Sequence, residues 1–376
     1  MVIKMKRSKG CSTISLVLFI ALTLSGCWDS KDIEQKDIYL SLIIDYADEN
    51  FAYYGEVANL SSSSQSTDKT ANSKQSFDII TARGKTFVQA RAEIERKSSG
   101  ALYLGACKLL IFTNRMADKG LEEYLNRSRS QNDTRKSLKI ITTATEPEEL
   151  FKISPENSLS VGLTIDSIIE RTTNEGSMFS VDIGNILEQL AVKKVGFLIP
   201  QFNVRGSKAT LTGYTVFKDL KIAGLIPPDE SKGVVYFLNP DAGFVYEVYH
   251  KDRKYVLKSQ LKDKSIKTFY QNGQLSLDVF MNFSSELNYA DKATILTKSD
   301  IRQLQTSLAE MIKQDILHAI DTSQNRYQTD YLGIYRYFRK NYNSNFKTLD
   351  WEQLYSEAKV KVETKVTILN SSLPQR

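Results

Sequence analysis

An export signal at the start of the chain constrains the fold most, because it separates a discarded peptide from the part that folds. Lys4, Lys6, Arg7 and Lys9 form a basic start, and an apolar run follows over residues 14–24. This order is typical of a secretory signal, and the apolar run is too short to remain as a membrane-spanning helix. The part that folds would then hold roughly 350 residues, which predicts two or three domains.

The last residues of the signal suggest a lipid anchor. The residues Leu24, Ser25, Gly26 and Cys27 resemble the lipobox of bacterial lipoproteins. The resemblance implies that Cys27 takes an S-diacylglycerol group, becomes the first residue after cleavage, and carries an N-acyl chain such as palmitate. Two or three acyl chains hold a protein at a membrane, because each buried methylene contributes roughly 0.8 kcal/mol. The alternative is a soluble secreted protein in which Cys27 has no such role.

Net charge and cysteine content limit the possible partners and covalent links of the chain. The chain carries a net charge of +6, and removal of the four basic residues of the signal would leave +2, so nucleic acid is not predicted as a partner. After Cys27 only Cys107 remains, which excludes a disulfide within the mature chain. Cys107 lies in an apolar run over residues 102–112, which predicts a buried strand. A small buried hydrophobe is one interpretation of this thiol, and a reactive cysteine is the alternative.

The alternation of strand and helix patterns predicts an α+β fold after the signal peptide. We expect three consecutive mixed α/β domains, each a mainly antiparallel sheet with flanking helices. The predicted segments are a signal peptide at 1–26, a lipid anchor and lead-in at 27–36, an N-terminal α/β domain at 37–204, a small β-rich middle domain at 205–285, and a C-terminal domain with a long helix and a final strand at 286–376.

Three local signals predict individual elements of the last two domains. Asn272-Gly273 is a strong hairpin turn between two alternating segments. Thr297, with Asp300 three residues later, predicts the start of a helix whose apolar stripe runs over residues 301–320. Alternation of apolar and charged residues over 359–368 predicts an amphipathic final strand.

The residue pattern gives no catalytic centre or metal site. His250 and His318 are the two histidines, and neither stands near a cysteine or in a spacing that metal-binding motifs use. No nucleophile elbow, dinucleotide-binding turn or phosphate-binding loop is present in the sequence. We therefore predict no catalytic residue, no metal and no cofactor, and we interpret the histidines as structural or surface residues.

Four motifs in a specific order resemble those of one family. They are Cys27-Trp28-Asp29 after the signal, Gly213 and Gly224 in a strand and the turn that follows it, Gln324, Asp330 and Gly333 after the long helix, and Trp351 before the final strand. Together they resemble the Ger(x)C family of spore germination lipoproteins, the C subunits of nutrient germinant receptors.

Each motif residue also has a structural explanation that needs no ligand. Gly213 and Gly224 can relieve backbone crowding in or beside a strand. Asp330 can cap a helix that begins at Tyr331, and Trp351 can anchor a short helix to the last strand. These residues are therefore expected to be structural.

The resemblance implies a non-enzymatic lipoprotein subunit of a spore nutrient germinant receptor, needed for receptor assembly and germination signalling. Its partners would be a multi-span A subunit, a transporter-like B subunit and the membrane lipid bound through Cys27. It would lie on the outer face of the spore inner membrane. The alternatives are a solute-binding lipoprotein of a transporter and an envelope hydrolase. The strand-rich segment at 243–283 and the helix–strand ending are unlike the two lobes of a solute-binding protein.

Overall fold

Two β-sheets and the helices around them form the computed structural model, which describes residues 36–59, 77–130, 135–153, 160–192, 195–291 and 296–370. The strands are β1 Lys36–Ala47, β2 Asn50–Ala58, β3 Phe77–Gly84, β4 Ala101–Tyr103, β5 Leu109–Thr113, β6 Lys139–Thr143, β7 Phe197–Arg205, β8 Lys208–Lys218, β9 Lys221–Ile226, β10 Gly243–His250, β11 Arg253–Gln271, β12 Gln274–Ala290 and β13 Lys359–Asn370. The helices are α1 Phe87–Lys97, α2 Asn114–Lys119, α3 Glu122–Ser130, α4 Pro147–Leu150, α5 Val161–Asn174, α6 Ile183–Leu190, α7 Lys232–Leu238, α8 Lys298–Asp321, α9 Ile334–Thr348 and α10 Trp351–Ser356.

The first sheet has the strand order β3-β2-β1-β5-β6-β7-β8-β9, and the short β4 pairs with β1. Its centre is parallel, since β1, β5, β6 and β7 run in the same direction, and antiparallel hairpins extend it at both ends. All five residues of β5 are buried, as expected for a central parallel strand with both faces covered.

The second sheet has the order β10-β11-β12-β13, and the final strand lies parallel to β12. Asn272 and Gly273 both adopt positive φ in the tight turn between β11 and β12, as their sequence predicts. Helix α8 begins with the predicted capping box between Thr297 and Asp300. It packs on the final strand, where Gln305 Nε2 donates to the Val366 carbonyl oxygen at 3.0 Å.

The mixed α/β fold class predicted from sequence is confirmed, but the strands pair differently from the predicted division. The described residues form two sheets rather than three. The predicted boundary between 204 and 205 falls inside the β7–β8 hairpin, so β8 and β9 extend the first sheet. β10, β11 and β12 share one sheet with the final strand instead of forming a separate middle sheet, because β13 returns and pairs with the free edge of β12.

Two further predictions concern the cysteines and the N-terminus. Cys107 is buried, but it lies in the loop between β4 and β5 rather than in one continuous strand. The predicted signal peptide and most of the lead-in, with Leu24, Ser25, Gly26, Cys27, Trp28 and Asp29, lie outside the described residues and stay predictions. Within the described ranges, no helix combines the length and apolar character needed to cross a membrane.

Candidate functional site

Five motif residues meet at one segment, residues 322–333, which we call the connector; three belong to it, and two come from distant parts of the sequence. Helix α8 continues beyond Asp321 as a π-helical turn over Thr322–Arg326, and the chain then runs irregularly to Gly333, the residue before α9. π-Helical turns are rare and are often found at functional positions. Gln324, Asp330 and Gly333 belong to the connector, and Gly224 and Trp351 lie against it or bond to it.

Gln324 ties the connector to the elements that follow it. Its side-chain nitrogen donates to the carbonyl oxygens of Tyr355 at 2.7 Å and Ala358 at 3.1 Å, at the end of α10 and the approach to β13. The preceding Ser323 shares a hydrogen bond with the Tyr355 hydroxyl at 2.8 Å and donates to the Thr329 carbonyl oxygen. The π-helical turn therefore holds the last strand of the second sheet in place.

Asp330 is the one carboxylate of the connector and is buried, with 1% of its surface exposed. It accepts hydrogen bonds from the backbone nitrogens of Ile334 at 3.0 Å and Tyr335 at 2.7 Å, and from Trp351 Nε1 at 3.2 Å. Burial raises the pKa of Asp330 to about 6, although these three donors oppose that shift. The carboxylate caps the first turn of α9 and fixes the indole that anchors α10.

Gly333 and Trp351 complete this arrangement. Gly333 has φ of +77°, a left-handed conformation that glycine adopts without steric cost, and it turns the chain into α9. Trp351 is 1% exposed and packs against Phe338, Phe346 and Tyr355. The predicted cap at Asp330 is thus present, but the helix begins at Ile334 rather than at Tyr331.

The other side of the connector contacts the first sheet. The Tyr327 hydroxyl donates to the Leu225 carbonyl oxygen at 3.0 Å, and its ring lies over Gly224. A Cβ atom at Gly224 would come within 2.5 Å of Tyr327 Cε1, so glycine is needed for this contact. Lys218 Nζ donates to the Gln328 carbonyl oxygen at 3.1 Å. The connector therefore joins β8 and β9 to the helices beside the second sheet.

Gly213 lies away from the connector, within the first sheet. It occupies β8 with φ of +144°, and a Cβ atom there would come within 2.3 Å of the Ile226 carbonyl oxygen on β9. The register of β7 against β8 shifts next to Gly213, between Gln201 and Phe202. Gly213 thus supports an irregularity of the sheet, and its structural role stays a prediction.

A buried glutamate that was not singled out from the sequence links the first sheet to the start of α5. Glu56 is 0% exposed and accepts hydrogen bonds from Ser41 Oγ at 2.7 Å and from the backbone nitrogens of Val161 at 2.7 Å and Gly162 at 3.0 Å. Burial raises the pKa of this carboxyl, against the hydrogen bonds that favour its ionised form. The sequence feature that could have revealed Glu56 is its place as the one acidic residue in the apolar segment 51–58, because a buried charge needs polar partners.

The histidines and Cys107 have ordinary structural surroundings. His250 Nε2 lies 2.8 Å from Asp300 Oδ1, and His318 Nε2 lies 3.5 Å from a carboxylate oxygen of Glu230. Burial raises the pKa of the Cys107 thiol to about 12, which keeps it protonated at neutral pH. Within the described residues, no group of three histidine, cysteine, aspartate or glutamate side chains could hold a metal ion.

Comparison with solved structures finds a protein that shares this fold. The chain superposes on a protein described as "Crystal Structure of the GerBC protein" with a TM-score of 0.57 and 16% identity, over 88% of this chain and 97% of that one. At this identity the likeness shows a shared fold.

The sequence comparisons give the family. Residues 29–204 match the family described as "Spore germination protein N-terminal domain", and residues 212–372 match "Spore germination B3/ GerAC like, C-terminal". The chain is 22% identical to spore germination protein B3 of Bacillus subtilis, over 96% of this chain and 98% of that protein. It is 23% identical to spore germination protein A3 of the same organism, over 73% of each. The chain belongs to the Ger(x)C family of spore germination proteins, which supports a role in germination.

Proposed function

We propose that this chain is the lipid-anchored, non-enzymatic C subunit of a spore nutrient germinant receptor. The observation that carries the proposal is the match of both parts of the chain, 29–204 and 212–372, to the two halves of a germination protein, directly after a lipobox-like signal. The subunit would act in receptor assembly and germination signalling on the outer face of the spore inner membrane.

The contacts of the buried polar residues favour a scaffolding role. Gln324, Asp330 and Glu56 each bond to backbone groups of their own chain, so their chemistry serves internal support. The connector bonds to the first sheet on one side, and on the other side to α10 and to Ala358 directly before β13. Such an arrangement suits a subunit that presents rigid surfaces to partners.

A multi-span A subunit and a transporter-like B subunit are the partners that this proposal requires. A lipid at Cys27 would confine the folded part to a thin layer beside them and raise its effective concentration there, so individually weak contacts would hold the receptor together. The predicted lipid therefore contributes to assembly without touching the protein partners.

Substitution of the predicted lipid-bearing residue tests the proposal. Cys27→Ala should release the chain from membranes and lower its co-isolation with the A and B subunits from detergent-solubilised spore membranes. Cys11→Ala is the matched control, because Cys11 precedes the predicted cleavage site and should be removed with the signal. Intact-mass measurement should show a diacylated or triacylated N-terminus in the wild type and in the control.

Two results would contradict the proposal. Full co-isolation of Cys27→Ala with membrane partners would show that the lipid is not needed for assembly. Recovery of an ATP-driven permease instead of the two receptor subunits, together with a thermal shift on adding an amino acid or sugar, would favour a solute-binding lipoprotein.

A further inference from the structure

Helix α9 carries an unbalanced stripe of positive charge. Arg336, Arg339, Lys340 and Lys347 lie along its exposed side, and no aspartate or glutamate occurs between Ile334 and Thr348. Arg339 and Lys340 lie three and four residues after Arg336, on the next turn of the helix, and Lys347 lies seven residues after Lys340, beyond the kink at Tyr342. The buried side of the helix, with Tyr335 and Phe338, packs into the protein.

The stripe forms one wall of an open cleft. The end of α6 and the residues after it form the other wall, through Glu188, Ala191 and Val192. Two adjoining hollows of about 640 and 410 Å³ share Ala191, Val192, Arg339 and Asn343, so the cleft extends along the helix. The helix is kinked at Tyr342, next to the shared residues, where φ is −130° and ψ is 41°.

The cations of the cleft are only partly neutralised by the protein. Arg336 lies 3.5 Å from Glu188, the one carboxylate among the described residues that line the cleft. Arg339 lies over the Phe346 ring at 5.4 Å, which orients the guanidinium without cancelling its charge. Lys340 and Lys347 make no ion pair with the part of the chain that the structure describes. The cleft is therefore set up for an anion, and guanidinium groups suit phosphate oxygens.

The position of the cleft in the fold indicates the source of that anion. The central strands of the first sheet are parallel, so their amino ends share one edge of the sheet. Strand β7 starts at this edge at Phe197, soon after the cleft residues Ala191 and Val192. Strand β1 starts at the same edge at Lys36, only nine residues after Cys27.

The chain between Cys27 and Lys36 limits how far this edge can lie from a membrane. Nine residues span at most about 32 Å, even when fully extended. Strands β1 and β7 are three steps apart in the sheet, which corresponds to roughly 14 Å. A lipid at Cys27 would thus hold the sheet edge that bears the cleft close to the bilayer surface.

We propose that this cleft binds phosphate groups of anionic lipid headgroups and so fixes the orientation of the chain on the membrane. The inference rests on the lipid anchor of the proposed function and adds a second, electrostatic contact to it. Lysine and arginine residues near an anionic bilayer each strengthen binding by roughly fivefold at physiological salt, and the effect weakens as salt rises.

Hydrogen exchange on the full-length lipidated chain tests the inference. The chain is reconstituted on vesicles of phosphatidylcholine alone and of equimolar phosphatidylcholine and phosphatidylglycerol. We expect the amides of α9 to exchange at least about fivefold more slowly on the anionic vesicles, with recovery at high salt. Arg339→Glu/Lys340→Glu should abolish this protection. Lys298→Glu/Arg302→Glu, which makes the same charge change on exposed residues of α8, should leave it unchanged.

Several outcomes would overturn the inference. The first is equal exchange of the α9 amides on both vesicle types, and the second is an equal loss of protection in both double variants. The third is protection on neutral vesicles after addition of inorganic phosphate, because that result would indicate a site for free anions. Protection that requires the receptor partners and is independent of lipid charge would assign the cleft to a protein surface instead.

Flotation with neutral vesicles reports on the lipid anchor alone, so its failure would refute the proposed anchor. An unanchored chain that still floats with anionic vesicles, and loses this binding in Arg339→Glu/Lys340→Glu, would support the cleft.

Discussion

Replacement of Asp330 by alanine should weaken the fold at the connector. The substitution leaves three buried donors without an acceptor, namely the backbone nitrogens of Ile334 and Tyr335 and Nε1 of Trp351. Each stranded buried donor costs roughly 1–3 kcal/mol. Removal of a buried carboxylate whose pKa is raised to about 6 offsets part of this cost at neutral pH. We therefore expect a net loss of about 3 kcal/mol in the free energy of unfolding.

Urea unfolding followed by tryptophan fluorescence suits this test, because the chain has two tryptophans and one of them bonds directly to Asp330. Asp330→Ala should lower the urea midpoint and shift the emission of native Trp351. Asp330→Asn keeps one carbonyl oxygen as an acceptor and should lose about 1 kcal/mol. Asp229→Ala, at an exposed position, is the control and should change stability by less than about 0.5 kcal/mol. A loss in Asp330→Ala as small as in the control would refute the bridging role of this carboxylate.

Three further predictions concern buried or partly buried residues and can be measured by urea unfolding. The pKa of Asp330 rises from about 4 in the unfolded chain to about 6 in the folded one. The folded chain therefore binds more protons in this range, and this residue should make the free energy of unfolding fall as the pH rises from about 4 to about 6. Asp330→Asn should remove that part of the slope, and an unchanged slope would contradict the assignment. Gly224→Ala should cost about 1–3 kcal/mol through its clash with the Tyr327 ring, and the cost should shrink in a Tyr327→Ala background. Equal costs in both backgrounds would show that the ring is not the cause. Glu56→Ala should cost about 3 kcal/mol by stranding three donors, and a loss under about 1 kcal/mol would show that solvent replaces the carboxylate.

Local signals in the sequence predicted local structure well. The capping box of Thr297 and Asp300 and the turn of Asn272-Gly273 form as predicted, because each depends on residues only a few positions apart. The alternating pattern of the final strand also predicted which side chains face the core, with Val362 and Val366 buried. These features follow from backbone geometry within one element.

Pairing between distant segments was not predictable from local pattern. The hairpin that carries Gly213 and Gly224 extends the first sheet, although its composition resembles the strands that form the second sheet. Asp330 was recognised as a cap, but its bond to Trp351 joins residues 21 positions apart. The basic stripe of α9 was not predicted as a binding surface, because its charges form a cleft only where the helix faces the end of α6. Such contacts depend on topology, which a single sequence specifies weakly.

The proposed function makes this chain the anchored subunit of a membrane receptor. Affinity isolation of the lipidated chain from detergent-solubilised spore membranes, followed by mass spectrometry of the proteins that accompany it, tests this most directly. We expect recovery of a multi-span subunit and a transporter-like subunit together with the chain. Recovery of nothing beyond an untagged control, or of an ATP-driven permease alone, would contradict it.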